Sequence, residues 1–262
     1  MRLCFRCILA ILVLVAGAIG AATRATAATA PAAATVKTES VQFTNGKEMI
    51  DGYLALPPGT GKFPALLLVH EWWGLNDWIK EQAQKFAEQG YVTLAVDLYR
   101  GKVATDPETA HELMRGVPQD LALSDMIGGL IYLVKRDDVV KDHIGAVGWC
   151  WGGGEVMELA VREPRLAAVV VNYGALPTDP NKLQQIAAPV LGNFGADDQG
   201  ITPDDVHDFE KAMKNLNRRV DVKIYPGAGH AFENPNNKEG YRPEAAADAW
   251  QRTLNFLNKA LH

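Results

Sequence analysis

Three residues whose types cooperate in nucleophilic chemistry each follow a short apolar run: a cysteine, an aspartate and a histidine. Cys150 lies in Gly148-Trp149-Cys150-Trp151-Gly152, Asp198 follows Gly195-Ala196-Asp197, and His230 lies in Gly229-His230-Ala231-Phe232. A thiolate can attack a carbonyl carbon when a histidine moves the protons and an acid orients the imidazole. The three segments therefore predict acyl-transfer or hydrolytic chemistry at a thiol.

The segment around Cys150 has the form G-x-C-x-G between a predicted strand and a predicted helix. In such a turn the central residue takes a strained backbone conformation, and glycines on either side leave room for it. The sulfur would lie at a helix N-terminus, whose free N–H groups favour a thiolate. The alternative is a buried cysteine that only packs in a glycine-rich turn.

A second turn, His70-Glu71-Trp72-Trp73-Gly74, follows an earlier apolar run. We predict that the backbone N–H groups of Trp72 and Trp151 stabilise an oxyanion, because one donor follows the nucleophile and the other lies after the third strand. The side chains of Trp72, Trp73, Trp149 and Trp151 line a pocket in one interpretation and belong to the core in the other.

These residues need a scaffold of alternating strands and helices. The predicted strands are short, rich in β-branched residues and nearly continuous in apolar character, at 64–70, 91–98, 143–149, 166–173, 189–194 and 220–225. Helical spacing covers 78–89, 121–134, 203–216 and 243–261. A hairpin with an Asn45-Gly46 turn precedes them. The pattern predicts one α/β domain, with a mostly parallel, doubly wound sheet and helices on both faces.

The N-terminal segment is predicted to direct export. Arg2 and Arg6 border an apolar run from Ile8 to Ile19, and Ala25-Thr26-Ala27 or Ala28-Thr29-Ala30 offers a cleavage site. We expect a signal peptide over 1–27, an Ala-rich linker over 28–37, and the folded domain over 38–262, secreted or periplasmic. An uncleaved anchor is the alternative. Cys4 and Cys7 leave with the signal, so Cys150 is the one thiol of the mature chain.

Composition limits the possible partners. The chain has 262 residues, 48% of them hydrophobic, and a net charge of −5, so it lacks the basic character that nucleic acids or anionic membranes attract. We expect a monomer that acts on a small molecule, with no membrane contact after signal cleavage. His111-Glu112 begins like a zinc-binding helix but lacks the second histidine, and there is no phosphate-binding loop, so we expect no metal and no cofactor.

Over nearly all of its mature length the chain resembles the dienelactone hydrolase family of α/β-hydrolases. The resemblance lies in His70 to Asn76, Val96-Asp97-Leu98-Tyr99, the G-x-C-x-G turn and Gly229 to Phe232. It implies an α/β-hydrolase fold and hydrolysis of a lactone or other carboxylic ester, of the carboxymethylenebutenolidase type. It also implies a triad of Cys150, His230 and Asp198, with Asp198 preferred over Asp197 by the family pattern.

The resemblance bears on further residues. It implies that Glu71 regulates the resting thiol, for which an exposed carboxylate without a role is the alternative, and Trp73, Tyr99 and Arg100 are the expected substrate-binding residues. Family members that open dienelactone bind its carboxylate through arginines. Here the first matching position is Gly101, and no arginine follows Phe232. Glu233 is expected to repel an anion, which argues against dienelactone as the substrate.

Two other functions stay open at this point. A thiol-dependent redox or acyl-transfer protein would need Cys150 but not His230. A binding module without catalytic activity would keep the same geometry and turn over no ester.

Overall fold

The computed structural model describes residues 35–262, which lie within one compact unit. The predicted signal peptide and most of the predicted linker lie outside the described residues. The strands are β1 Lys37–Thr44, β2 Met49–Leu56, β3 Phe63–Val69, β4 Val92–Val96, β5 Val139–Trp149, β6 Ala168–Asn172, β7 Val190–Gly195 and β8 Val220–Tyr225. The helices are α1 Asp77–Glu88, α2 Pro107–Arg115, α3 Gln119–Lys135, α4 Trp151–Arg162, α5 Pro180–Gln185, α6 Pro203–Asn215 and α7 Pro243–Leu261.

The eight strands form one sheet in the order β1-β2-β4-β3-β5-β6-β7-β8. β1 and β2 pair antiparallel as the predicted hairpin, with Thr44 opposite Met49, and β2 also runs antiparallel to β4. All pairs from β4 to β8 are parallel. The prediction of a mostly parallel, doubly wound sheet is confirmed.

Helices cover both faces of the sheet, because the central strands are apolar on both sides. Residues of α1 and α7 form one core with one face, as Phe86 and Leu257 show. Residues of α3, α4 and α6 form a second core with the other face, represented by Met126, Val156 and Phe209. In consequence, polar groups that carry chemistry must lie at the ends of the strands.

The structure differs from the sequence prediction in its smaller elements. β5 begins at Val139, four residues before the predicted start at His143, and the short helices α2 and α5 had no counterpart in the prediction. Within residues 35–262, no helix has the length and apolar character needed to cross a bilayer.

Candidate active site

Cys150 lies in a sharp turn between β5 and α4. Its backbone has φ 54° and ψ −122°, a conformation that a non-glycine residue rarely adopts. A Cβ atom on Gly148 would collide with the Gly152 carbonyl, and one on Gly152 would collide with the carbonyls of Val69 and His70. The glycine spacing read from the sequence is therefore a steric requirement of this turn.

The neighbouring strand β6 holds this turn in place. The Cys150 N–H donates to the Asn172 carbonyl at 3.0 Å, and the Asn172 side-chain amide donates back to the Gly148 carbonyl at 3.3 Å. Asn193 on β7 donates to the Asn172 amide oxygen at 2.8 Å. These buried bonds offset the backbone strain at Cys150, because each would be lost if the turn relaxed.

The three residues that the sequence singled out meet at the carboxyl edge of the sheet. Cys150 Sγ lies 3.0 Å from His230 Nε2, and His230 Nδ1 donates to Asp198 Oδ2 at 2.7 Å. The other oxygen, Asp198 Oδ1, accepts from the N–H groups of Gly200 at 2.8 Å and Ile201 at 3.1 Å. Asp198, and not Asp197, thus contacts the imidazole.

Electrostatics within this chain of groups favour a charged imidazole. Burial alone would lower the pKa of His230, but the hydrogen bonds with Asp198 and Cys150 outweigh burial and raise it well above the ordinary value. Burial would raise the pKa of Asp198, whereas the bonds from His230 and from the Ile201 N–H lower it overall. His230 can therefore carry a proton on each ring nitrogen, between the Asp198 carboxylate and the Cys150 sulfur.

Two backbone N–H groups that follow the ends of β3 and β5 have no acceptor among residues 35–262: those of Trp72 and Trp151. Trp151 is the first residue of α4, where N–H groups point out of the helix. Trp72 lies in a turn closed by a bond from the Gly74 N–H to the Glu71 carbonyl at 3.3 Å. Gly74 has φ 94°, and a side chain there would strike Lys102. The turn therefore depends on a glycine at this position.

His70, which begins the Trp72 turn, is a structural residue. Its ring is buried, with Nδ1 donating to the Glu71 carbonyl and Nε2 accepting the Leu98 N–H at 3.3 Å. Burial lowers the pKa of His70 to about 4, so the ring is neutral near pH 7. It joins the end of β3 to the end of β4.

Glu71 is buried near His230 and does not bond to the thiol. Its Oε2 accepts from the Asn234 amide at 2.7 Å and its Oε1 accepts from the Tyr173 hydroxyl at 3.3 Å. Burial raises the pKa of Glu71 to about 7, although the bond from Asn234 opposes the shift. In this arrangement Cys150 pairs with His230 instead, and regulation of the thiol by Glu71 stays a prediction.

Glu233 is a half-buried residue whose carboxyl group is turned inward. It does not line the cavity where it was expected to repel an anion. Its Oε2 accepts from the Trp149 indole at 3.3 Å, and its Oε1 has no partner within the described part of the chain. Burial raises the pKa of Glu233 to about 8, and the nearby Glu71 adds to the shift. Glu233 is therefore mostly protonated near pH 7.

Of the three expected substrate-binding residues, Trp73 alone lines the cavity. Arg100 does not line the cavity, because its guanidinium forms ion pairs with Asp125 and Glu48, each with an N–O distance of 2.7 Å. Arg100 has φ 56°, which helps turn its side chain toward these partners. Tyr99 does not line the cavity either: it is buried, and its ring stacks on that of Trp151 with the ring centroids 5.3 Å apart.

A cavity of about 830 Å³ opens above Cys150 and His230. Its walls come from residues 72–76, 103–111 and 231–239. The sequence analysis did not predict that the second segment and much of the third line the cavity. His111 could have indicated the second segment, but it was considered only as half of a zinc motif. No group of three or more His, Cys, Asp or Glu residues that could hold a metal occurs in residues 35–262.

The fold is that of an α/β-hydrolase, with a thiol in the glycine-bounded turn between β5 and α4. The dienelactone hydrolase family model matches residues 50–261. A Methylorubrum extorquens protein named as a candidate carboxymethylenebutenolidase is 31% identical over 225 residues, which cover 80% of this chain and 77% of that protein. A Bradyrhizobium protein named as a candidate 2-oxo-3-(5-oxofuran-2-ylidene)propanoate lactonase is 32% identical, over 82% of this chain and 90% of that one.

Solved structures agree with these sequence relatives. A candidate dienelactone hydrolase from Klebsiella pneumoniae superposes with a TM-score of 0.79 at 27% identity, over 86% of this chain and 99% of that one. The chain belongs to the dienelactone hydrolase family. It is a hydrolase of carboxylic ester or lactone bonds.

Proposed function

We propose that this hydrolase opens carboxylic esters or lactones by nucleophilic catalysis, with Cys150, His230 and Asp198 as the catalytic triad. The observation that carries the proposal is the unbroken series of contacts from Sγ to Nε2 at 3.0 Å and from Nδ1 to Oδ2 at 2.7 Å, at the floor of the cavity. A cysteine that served only for packing would need neither contact.

In the first half of the reaction, the Cys150 thiolate attacks the ester carbonyl carbon and forms a C–S bond. The electron pair of the C=O bond moves onto its oxygen, and the resulting oxyanion accepts hydrogen bonds from the N–H groups of Trp72 and Trp151. When the oxyanion collapses, the C–O bond to the leaving group breaks. The departing alkoxide takes its proton from the His230 imidazolium and leaves a thioester on Cys150.

In the second half, water enters the cavity and attacks the thioester carbonyl carbon while neutral His230 accepts its proton. The second oxyanion is held by the same two N–H groups. Its collapse breaks the C–S bond, so the acid product leaves and the Cys150 thiolate is restored beside the imidazolium. Asp198 stays ionised and keeps Nδ1 in the protonated, oriented form in both halves.

The two N–H donors supply much of the acceleration in this proposal. Their effect is largest when charge builds up on the oxygen, and the loss of one such donor typically costs about 3 kcal/mol in the barrier. Because both are backbone groups in turns closed by glycines, small shifts of either turn would act on the rate.

The direct test is ester hydrolysis by the wild-type protein and by Cys150→Ala and His230→Ala. A short activated ester such as 4-nitrophenyl acetate should be turned over by the wild type and by neither variant above background. Brief mixing followed by intact-mass measurement should show one acetyl group on the wild type and none on Cys150→Ala. Turnover retained in Cys150→Ala would contradict the proposal, and an acetylated Cys150 that passes its acyl group to amines but not to water would favour acyl transfer.

We also propose that the folded domain works outside the cytoplasm, after removal of residues 1–27. Support for this comes from the charged start, the short apolar run and the small residues of the N-terminal sequence. With Cys4 and Cys7 removed, the domain would hold no pair of thiols that could form an internal disulfide.

A further inference from the structure

The charges around the cavity are few and nearly balanced. Apart from the Cys150–His230 pair and the exposed His111, the charged residues of its wall are Lys238 and Glu239, which are adjacent, exposed and of opposite sign. No arginine lines it within the described residues, and nearby Arg100 is held by Asp125 and Glu48. A carboxylate drawn into this cavity would lose water and gain only the exposed Lys238, which stands beside Glu239, in place of a bidentate arginine, and this exchange is unfavourable.

One wall of the cavity is aromatic. The rings of Trp72 and Trp73 lie 5.0 Å apart and tilted by 61°, and His111 from α2 meets Trp72 edge-on at 4.8 Å. Edge-to-face contacts of this kind hold the rings in fixed positions. They give a planar apolar group a preformed surface to pack against, with little loss of side-chain freedom on binding.

Another part of the wall is a loop that carries three neutral amides, those of Asn234, Asn236 and Asn237. Asn237 is fixed within the loop, since its amide donates to the His230 carbonyl at 3.1 Å and its oxygen accepts the Gly240 N–H at 3.2 Å. Asn234 is likewise fixed by Glu71. The side chain of Asn236 has no partner among residues 35–262, so its amide can bond to an uncharged carbonyl or hydroxyl group.

We propose that the cavity takes an uncharged ester or lactone that carries an aromatic or similarly planar group, and that it discriminates against carboxylated substrates. This inference rests on the proposed function and specifies its substrate class. A cavity of about 830 Å³ is in the range that holds a drug-sized molecule, so the acyl group can be much larger than an acetyl group.

Three trifluoroethyl esters test the substrate class, because their leaving group is small and not aromatic. They are the acetate, the benzoate and the 4-carboxybenzoate, each corrected for its rate of hydrolysis by hydroxide. We expect a kcat/KM for the benzoate at least about tenfold above that for the 4-carboxybenzoate, and also above that for the acetate. Equal or higher kcat/KM for the 4-carboxybenzoate would overturn the inference.

A pair of tryptophan variants tests the aromatic wall. Trp73→Leu should lower the benzoate-to-acetate ratio of kcat/KM about five- to tenfold, because it removes a ring contact and leaves the reacting groups in place. The control is Trp250→Leu, since Trp250 is also partly buried but packs on Phe86 outside the cavity, and its ratio should stay at the wild-type value. An unchanged ratio in Trp73→Leu would remove the aromatic part of the inference.

Lys238→Gln tests whether the exposed lysine recruits anions. Its ratio of benzoate to 4-carboxybenzoate should change less than about threefold, because Glu239 offsets its charge. A larger gain in discrimination would show that Lys238 binds carboxylates and would contradict the inference.

Failure of the substrate-class inference can be distinguished from failure of the proposed function. If the wild type hydrolyses the acetate through Cys150 but does not prefer the benzoate, the proposed triad stands and the substrate class is wrong. If the wild type hydrolyses none of the esters, the proposed function itself is overturned.

Discussion

At the scale of single residues, the two adjacent aspartates of the β7 turn differ in exposure and in what they contact. Asp198 is buried and bonds to His230, whereas Asp197 is exposed and bonds through its backbone alone. A carboxylate that fixes the imidazole cannot be replaced by its neighbour, because the distance from Nδ1 to the acid oxygen decides the orientation of Nε2 toward the sulfur.

We therefore predict that Asp198→Ala lowers kcat by roughly a thousandfold or more, since the ring loses its orientation and its partner for the positive charge. Asp197→Ala is the matched control and should stay within about threefold of the wild type. Steady-state hydrolysis of 4-nitrophenyl acetate measures both. If the two variants exchanged their effects, the acid of the triad would be wrongly placed.

Glu233 gives a second prediction, which concerns stability against pH. Burial raises its pKa from the ordinary 4.5 to about 8. Between these two values the folded chain keeps a proton that the unfolded chain releases, so the free energy of unfolding falls as pH rises toward 8. Glu233→Gln removes this loss, and we expect the variant to gain about 1–3 kcal/mol relative to the wild type between pH 5 and pH 8.

Urea unfolding at pH 5 and pH 8 provides the measurement. Glu239→Gln is the control, because that acid lies on the same loop but is exposed, and its difference from the wild type should not depend on pH. A difference between Glu233→Gln and the wild type that is the same at both pH values would mean that Glu233 titrates as it does in water.

At the scale of elements, two glycines at the start of α4 differ in what an added side chain would contact. Gly152 faces the carbonyls of Val69 and His70 at the end of β3, so a methyl group there would push α4 away from the sheet. Gly154, two residues along the same helix, would bring its methyl group to 3.3 Å from the Ala175 side chain, so Ala175 would have to shift by only a few tenths of an ångström. The first position is limited by backbone and the second by a small side chain.

We predict that Gly152→Ala lowers Tm by about 5 °C or more and reduces kcat, because the strained turn can no longer keep its place. Gly154→Ala should change stability by less than about 1 kcal/mol, since better helix propensity offsets the tighter contact. Thermal unfolding measures Tm, and ester hydrolysis measures kcat, for both variants. Equal effects of the two substitutions would contradict the steric explanation.

The sequence predicted the long elements well, because strands buried on both faces and helices with one apolar face leave clear patterns. It failed at α2, which buries only Ala110 fully and so shows little apolar periodicity. The positive φ of Arg100 and its ion pair with Asp125 on α3 depend on the tertiary fold, so no local pattern indicates them. The bond between Glu71 and Asn234 joins residues 163 positions apart, which no local pattern indicates.

At the scale of the whole molecule, the sheet brings distant turns to one edge. Cys150, the proposed nucleophile, follows β5, while the proposed acid Asp198 follows β7 and His230 follows β8. Trp72, a proposed oxyanion donor, follows β3. All four strands are parallel, so their carboxyl ends lie together and the helices stay free to pack the two cores. Residues 35–262 thus contain every group that the proposed chemistry uses.

We therefore expect that the N-terminal segment directs export and is dispensable for catalysis. Expressed from Met1 in a bacterium with a periplasm, the chain should be recovered from the periplasmic fraction with the mass of residues 28–262, or 31–262 if the second small-residue site is cut. A chain started at residue 28 should stay in the cytoplasm and hydrolyse esters with the same kcat/KM, because the catalytic residues are unchanged. Recovery of the full-length mass from the membrane fraction would show an uncleaved anchor instead, and its recovery from the cytoplasm would contradict export altogether.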